Sequence, residues 1–198
     1  MKSINSFINE KLKINKNSKN SQKKKVKNYI ELKNLIACEY EEQEHPEILD
    51  LNYIDITELD NLISLFDYDN DIKINNVDVS DWDVSNIRSF KETFASMKNF
   101  DCDLSNWNVS KGEDFQGMFI DCNKFDGKFL ENWDMSNAKD IQFMLARCSS
   151  IKDNVDFTNW FENLNSISLK KQLYNDLKTC GISLNSDILH SYRDKYLS

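Results

Sequence analysis

The chain has 198 residues, a length for one domain with an arm, and 40% of them are hydrophobic, which is enough for an ordinary core. Formal net charge is −8 but unevenly spread: residues 1–28 hold nine lysines against the single acid Glu10, and the remainder carries 16 basic and 32 acidic residues. An acidic body repels nucleic acid and anionic membrane, so only the basic arm is left as a candidate contact for either. The five cysteines are odd in number, no pair has CxxC spacing, and His45 and His190 stand far from any Cys pair, which argues against a disulfide framework or a zinc site.

Residues 1–28 read as a basic flexible arm. Its start, MKSINSFINEKLKIN, is interrupted by Asn, Ser, Glu and Lys and has neither the apolar run nor the small-residue cleavage site of a secretory signal. No run along the chain is long and apolar enough to span a membrane. Taken as complete, the chain is expected not to be exported by the general route. Lys16 to Lys27 reads as a solvated linker, with contact to DNA or an acidic partner as the alternative; the lack of aromatics before Tyr29 argues against base stacking.

Residues 29–49 are predicted as an N-terminal capping helix, with Tyr29, Leu32, Leu35 and Ile36 on one face and Pro46 beyond its end. Residues 50–161 hold a repeat. Trp82, Trp107, Trp133 and Trp160 are spaced 25, 26 and 27 apart. Behind the first three, columns recur: Val84, Val109, Met135; Ser85, Ser110, Ser136; Phe90, Phe115, Ile141; Phe94, Phe119, Leu145; Met97, Cys122, Cys148. An earlier unit fits with Ile54 in the Trp place. Trp82–Asp83–Val84 alternates as a short strand does, while Ile87, Phe90, Phe94 and Met97 follow at helical steps of 3, 4 and 3. Ser85, Ser110, Ser136 and Thr57 precede those stretches as candidate N-caps. Residues 162–198 are predicted as a C-terminal helical cap: a helix from Ser166 to Cys180 closed by Gly181, and a second over about 185–196. The fold class expected from this is an α/β repeat, four strand–helix units stacked as a short solenoid of leucine-rich-repeat type with helical caps at both ends. The four tryptophans would form its structural ladder.

The strings DWDVSNIRSFKETF (81–94), LSNWNVSKGEDFQGMF (104–119) and ENWDMSNAKDIQFML (131–145) resemble the BspA-type leucine-rich repeat of bacterial surface proteins. The resemblance covers about residues 50–161. It implies a solenoid and protein binding or adhesion, with no catalytic residue to carry over. MKSINSFINE is similar to the capsid-targeting peptides of T-even-type tailed phages, with an apolar-x-Glu ending at Glu10, which this resemblance makes a candidate processing site.

No GxSxG, HExxH, P-loop or GxGxxG motif is present, so a non-enzymatic role without cofactor is expected. The role expected is that of a protein-binding or structural module, virion-associated in a phage or in the host bacterial cytoplasm, with a bacterial cell-surface adhesion protein as the alternative. The exposed acids beside the tryptophans, Asp81, Asp83, Asp101, Asp103 and Asp134, are the candidate surface for a protein partner. Cys122 and Cys148 read as buried small hydrophobes in the column of Met97, with a metal or redox pair as the alternative. Asp67-x-Asp69-x-Asp71 with Asp78 in the twelfth place has part of a calcium-loop spacing, but Ile72 stands where Gly is needed; an acidic turn is preferred.

Overall fold

The structure is a computed structural model that describes residues 23–67, 72–152, 155–182 and 187–197. The N-terminal decapeptide with Glu10, and Asp69 and Asp71 of the acidic loop, lie outside the described residues. In chain order the elements are β1 (Lys24–Lys25), α1 (Tyr29–Glu42), β2 (Leu49–Asp50), β3 (Ile54–Asp55), β4 (Val77–Asp78), α2 (Thr158–Asn163), α3 (Ile167–Leu177) and α4 (Asp187–Tyr196). Strand β1 pairs in parallel with β3, Lys24 opposite Ile54, and β2 pairs in parallel with β4, Leu49 opposite Val77.

The expected solenoid of strand–helix units is not formed. Among the described residues from 79 to 157, the helical structure is one 3-10 turn at Leu130–Asn132, and no strand is present. The protein is a small mixed α/β domain with four helices and two two-stranded parallel sheets among the described residues. Its central stretch is repeat-like only in register, through the single parallel bridges Asn61–Ser89, Ser89–Asp114 and Asp114–Asp140.

The helical spacing is produced instead by pairs of tight turns. In Phe90–Met97, Thr93 N–H donates to the Phe90 carbonyl and Met97 N–H to that of Phe94, both at 3.1 Å. The third residue of each turn, Glu92 (φ 54°) and Ser96 (φ 62°), is left-handed, the pattern of a type II turn. Gly117 and Asp121 repeat it over 115–122, and Phe143 and Arg147 over 141–148. A left-handed residue stops a helix after one turn and swings the next apolar side chain back inward, so Phe90 and Phe94 are both fully buried without a helix between them. Backbone bonds join these turns one period apart. Phe90, Glu92, Phe94 and Ser96 donate to the carbonyls of Asp114, Gln116, Met118 and Ile120 at 2.7–3.0 Å. Phe115, Gly117, Phe119 and Asp121 donate likewise to Asp140, Gln142, Met144 and Ala146.

The candidates Ser85, Ser110, Ser136 and Thr57 do not cap helices. Ser85, Ser136 and Thr57 give their N–H groups to the carboxylates of Asp83, Asp134 and Asp55, two residues earlier, at 2.9–3.0 Å, and Ser110 gives its own to Asn108 Oδ1 at 3.2 Å; Ser105 does the same with Asp103 at 2.9 Å. These are Asx turns, which order the backbone locally without any helix following.

The helices close the ends of this register. Asn28 caps α1 by accepting Glu31 N–H at 2.9 Å, and the helix buries Leu32, Leu35 and Ile36. Its Tyr29 hydroxyl and Lys33 ammonium donate, both at 2.6 Å, to the carbonyls of Ile63 and Asp67, which no backbone amide of the described residues meets. Ser166 caps α3, which buries Leu169, Leu173 and Leu177. Its C-cap is Lys178 rather than Gly181. Gly181 serves close approach: a Cβ there would lie 2.3 Å from the Ser149 carbonyl oxygen.

Candidate functional site

All four tryptophans are buried, at 1–4% exposure. Each indole N–H donates to a carbonyl about one period earlier: Trp82 to Leu51 (2.9 Å), Trp107 to Val79 (3.0 Å), Trp133 to Leu104 (3.4 Å) and Trp160 to Leu130 (2.8 Å). The rings of Trp107 and Trp133 are parallel, 3° apart with centroids at 6.4 Å, whereas Trp160 meets Phe157 edge-on at 71°. Buried and hydrogen-bonded, with Trp107, Trp133 and Trp160 packed against phenylalanines, these side chains are core, and Trp82 also lines an open hollow at the surface.

The acids beside them are all exposed. Four gather around Ser80. Asp81 and Asp83 line an open hollow of about 330 Å³ with Ser80 and Asn106, and Asp101 and Asp103 line a second of about 200 Å³ with Ser80 and Ile48. Asp134 lines neither and stands one period further along.

The five divide into two kinds. Asp83, Asp103 and Asp134 each use one carboxylate oxygen for an Asx turn. Hydrogen bonds from Ser85 and Ser136 hold the carboxyls of Asp83 and Asp134 below the usual range. Asp81 and Asp101 are held through their backbones instead: Asn52 Oδ1 accepts Asp81 N–H (2.8 Å) and Asn76 Oδ1 accepts Asp101 N–H (3.4 Å). Among the described residues their carboxylates make no hydrogen bond or ion pair. Asn52 and Asn76 carry no motif of their own; only their place about one period before the two aspartates marks them.

Acids elsewhere are neutralised across the periods. Glu113 takes Arg88 from one side and Lys139 from the other, both at 2.6 Å, and Arg147 grips Asp121 with two nitrogens at 2.5 and 2.6 Å. The basic stretch also reaches the acidic face: Lys23 Nζ donates to the Asp81 carbonyl at 2.7 Å, and Lys25 pairs with Glu58 at 3.1 Å.

The thiols are structural donors. Cys122, Cys148 and Cys180 give S–H to the carbonyls of Phe94, Phe119 and Leu145 at 3.0–3.1 Å. Burial pushes the thiols of Cys122 and Cys180 up to about 12 and that of Cys148 further. All five cysteines are free. In the acidic loop, Asp78 accepts from both the amide (3.1 Å) and the hydroxyl (2.7 Å) of Ser80. Among the described residues no three His, Cys, Asp or Glu side chains are grouped to hold a metal ion, and no helix is long and apolar enough to cross a membrane.

No curated protein and no solved structure matches the chain. Residues 36–175, which run from within α1 to within α3 and take in every tryptophan and all five of the acids, match the family described as "Mycoplasma protein of unknown function, DUF285". The match spans most of the chain, and the protein belongs to that family.

Proposed function

We propose that this is a non-enzymatic, protein-binding or structural module whose binding surface is the acidic face around Ser80. The observation that carries this is the division among the aspartates. Asp81 and Asp101 are exposed and held in place by Asn52 and Asn76, yet their carboxylates serve no turn and no ion pair among the described residues. Comparable acids at 113 and 121 are neutralised from adjoining periods. Charge that no ion pair among the described residues neutralises, carried on anchored backbone at the rim of two shallow hollows, suits the basic side chains of a protein partner, giving orientation and association rate more than affinity. The likeness of 81–94, 104–119 and 131–145 to BspA-type repeats supports the same reading, since it implies protein binding. That of MKSINSFINE to capsid-targeting peptides supports a place in a phage particle.

Affinity capture with the full chain, beside a chain carrying Asp81→Lys and Asp101→Lys, tests the surface. The expected result is a set of proteins, identified by mass spectrometry, that the parent retains at low salt and the variant loses, with both chains equally stable. Identical sets from the two would overturn it.

A further inference from the structure

At residues 90–96 and 115–121 every second amide donates to a carbonyl one period later. The last such row, 141–147, has no later period to meet. Side chains of α3 and the residues just after it stand there instead. Gln172 Oε1 accepts Ile141 N–H at 3.3 Å, Asp176 Oδ2 accepts Leu145 N–H at 3.1 Å, and Thr179 Oγ1 accepts Arg147 N–H at 2.9 Å. Gln172 and Asp176 stand four apart on one face of α3, and Thr179, in the turn just after the helix, continues the line three residues on, so three oxygens meet a row of amides. The middle one is an acid only 5% exposed.

We propose that α3 is a proton-sensitive clasp, held firmly on the open amide row while Asp176 is protonated and loosened when Asp176 ionises.

A buried carboxylate costs several kcal/mol unless compensated. Here the compensation is backbone amides at 143–145 and no cation. Burial prevails over these amides and pushes the carboxyl up from 3.8 to about 7. The titratable groups beside it are the thiols of Cys148 and Cys180, both kept protonated by burial. Of the cations on the surrounding elements, Arg147 pairs with Asp121, Lys178 lies over Tyr174, Lys170 lies over Tyr196, and, from α4, Arg193 pairs with Asp194 and Lys195 with Glu162; Lys171 of α3 is exposed and has no part in the shift. Asp187, His190, Tyr192 and Tyr196, the other titratable groups of α4, have no part in the shift. Because the docked state holds the proton more tightly than the released one, release becomes easier as pH rises from about 4 to about 7.

Amide hydrogen exchange on the full chain, corrected for intrinsic rates, tests this. Protection at Ile141, Leu145 and Arg147 is expected to fall by up to about tenfold per pH unit across that window, while Phe94 and Phe119 stay protected. In Asp176→Asn, whose amide oxygen still accepts Leu145 N–H, the dependence should vanish. Protection at Leu145 that is flat or rises with pH, or that falls in step with Phe119, would overturn the proposal. Should the variant not fold, carboxyl-carbon NMR of the parent decides: a midpoint for Asp176 near neutrality supports the clasp, and one at or below the ordinary aspartate value ends it.

Discussion

At the scale of single residues, side chains that look ready for chemistry are spent on backbone. The thiol of Cys148 lies between those of Cys122 and Cys180 in sequence period, and each gives its proton to a carbonyl of the preceding period. The thiolate is the reactive form, and burial suppresses it. The native chain is therefore expected to show no fast reaction with a thiol reagent at Cys102, Cys122 or Cys148, and five equivalents after denaturation. Fast labelling of Cys148 in native buffer, located by peptide mass spectrometry, would contradict the packing. The aspartates show how far the sequence could be read. Asp81, Asp83, Asp101, Asp103 and Asp134 share exposure and a place beside the tryptophans, and that much is legible from alternation. Which of them are committed to Asx turns is not, because Asp-x-Ser at 83, 103 and 134 and the unpaired Asp81 and Asp101 differ only in what lies two residues on and about 25 back.

At the scale of elements, the period was legible and its contents were not. Steps of 3, 4 and 3 at Ile87, Phe90, Phe94 and Met97 satisfy a helix and a pair of turns equally, since both return a side chain to the core every three to four residues. The deciding feature is backbone handedness at Glu92 and Ser96. With only four glycines in the chain, ordinary residues take that conformation at Glu92, Ser96, Asp121, Phe143 and Arg147, and of these turn positions only 117 is marked by a glycine. The α1 face at Leu32, Leu35 and Ile36 was readable because nothing but a helix gives that spacing over 14 residues. Phe143 tests the turn geometry. It is 51% exposed at φ 60°, where a bulky side chain is strained and asparagine is at ease. Phe143→Asn is expected to raise stability by about 0.5–1 kcal/mol in urea denaturation, by relief of that strain. A loss of 1 kcal/mol or more would mean that the ring contributes packing the geometry does not show.

At the scale of the whole molecule, two groups of carboxylates act in opposite senses with pH. Asp55, Asp83, Asp134 and Asp156 are held below their ordinary range, first by hydroxyl hydrogen bonds from Thr57, Ser85, Ser136 and Thr158. Their contribution is complete above about pH 4 and is lost as pH falls through the lowered values. Asp176 is raised to about 7, so its contribution is present at low pH and lost on the way up to neutrality. Thermal unfolding across pH is thus expected to give a maximum in the mildly acidic range. Asp176→Asn should flatten the decline on the neutral side and leave the acid side unchanged; a stability that climbs steadily to pH 8 would refute the assignment.

The two ends of the hydrogen-bond register are dressed with opposite chemistry: Tyr29 and Lys33 bring protons to bare carbonyls, while Gln172, Asp176 and Thr179 bring lone pairs to bare amides. Open rows of this kind are templates onto which another chain can crystallise, strand upon strand, into fibre. Because each end of this row of turns is met by side chains of a helix, a second molecule approaching along the row meets a curved, amphipathic cylinder in place of matching backbone. Growth by accretion along the row is therefore blocked at both of its ends.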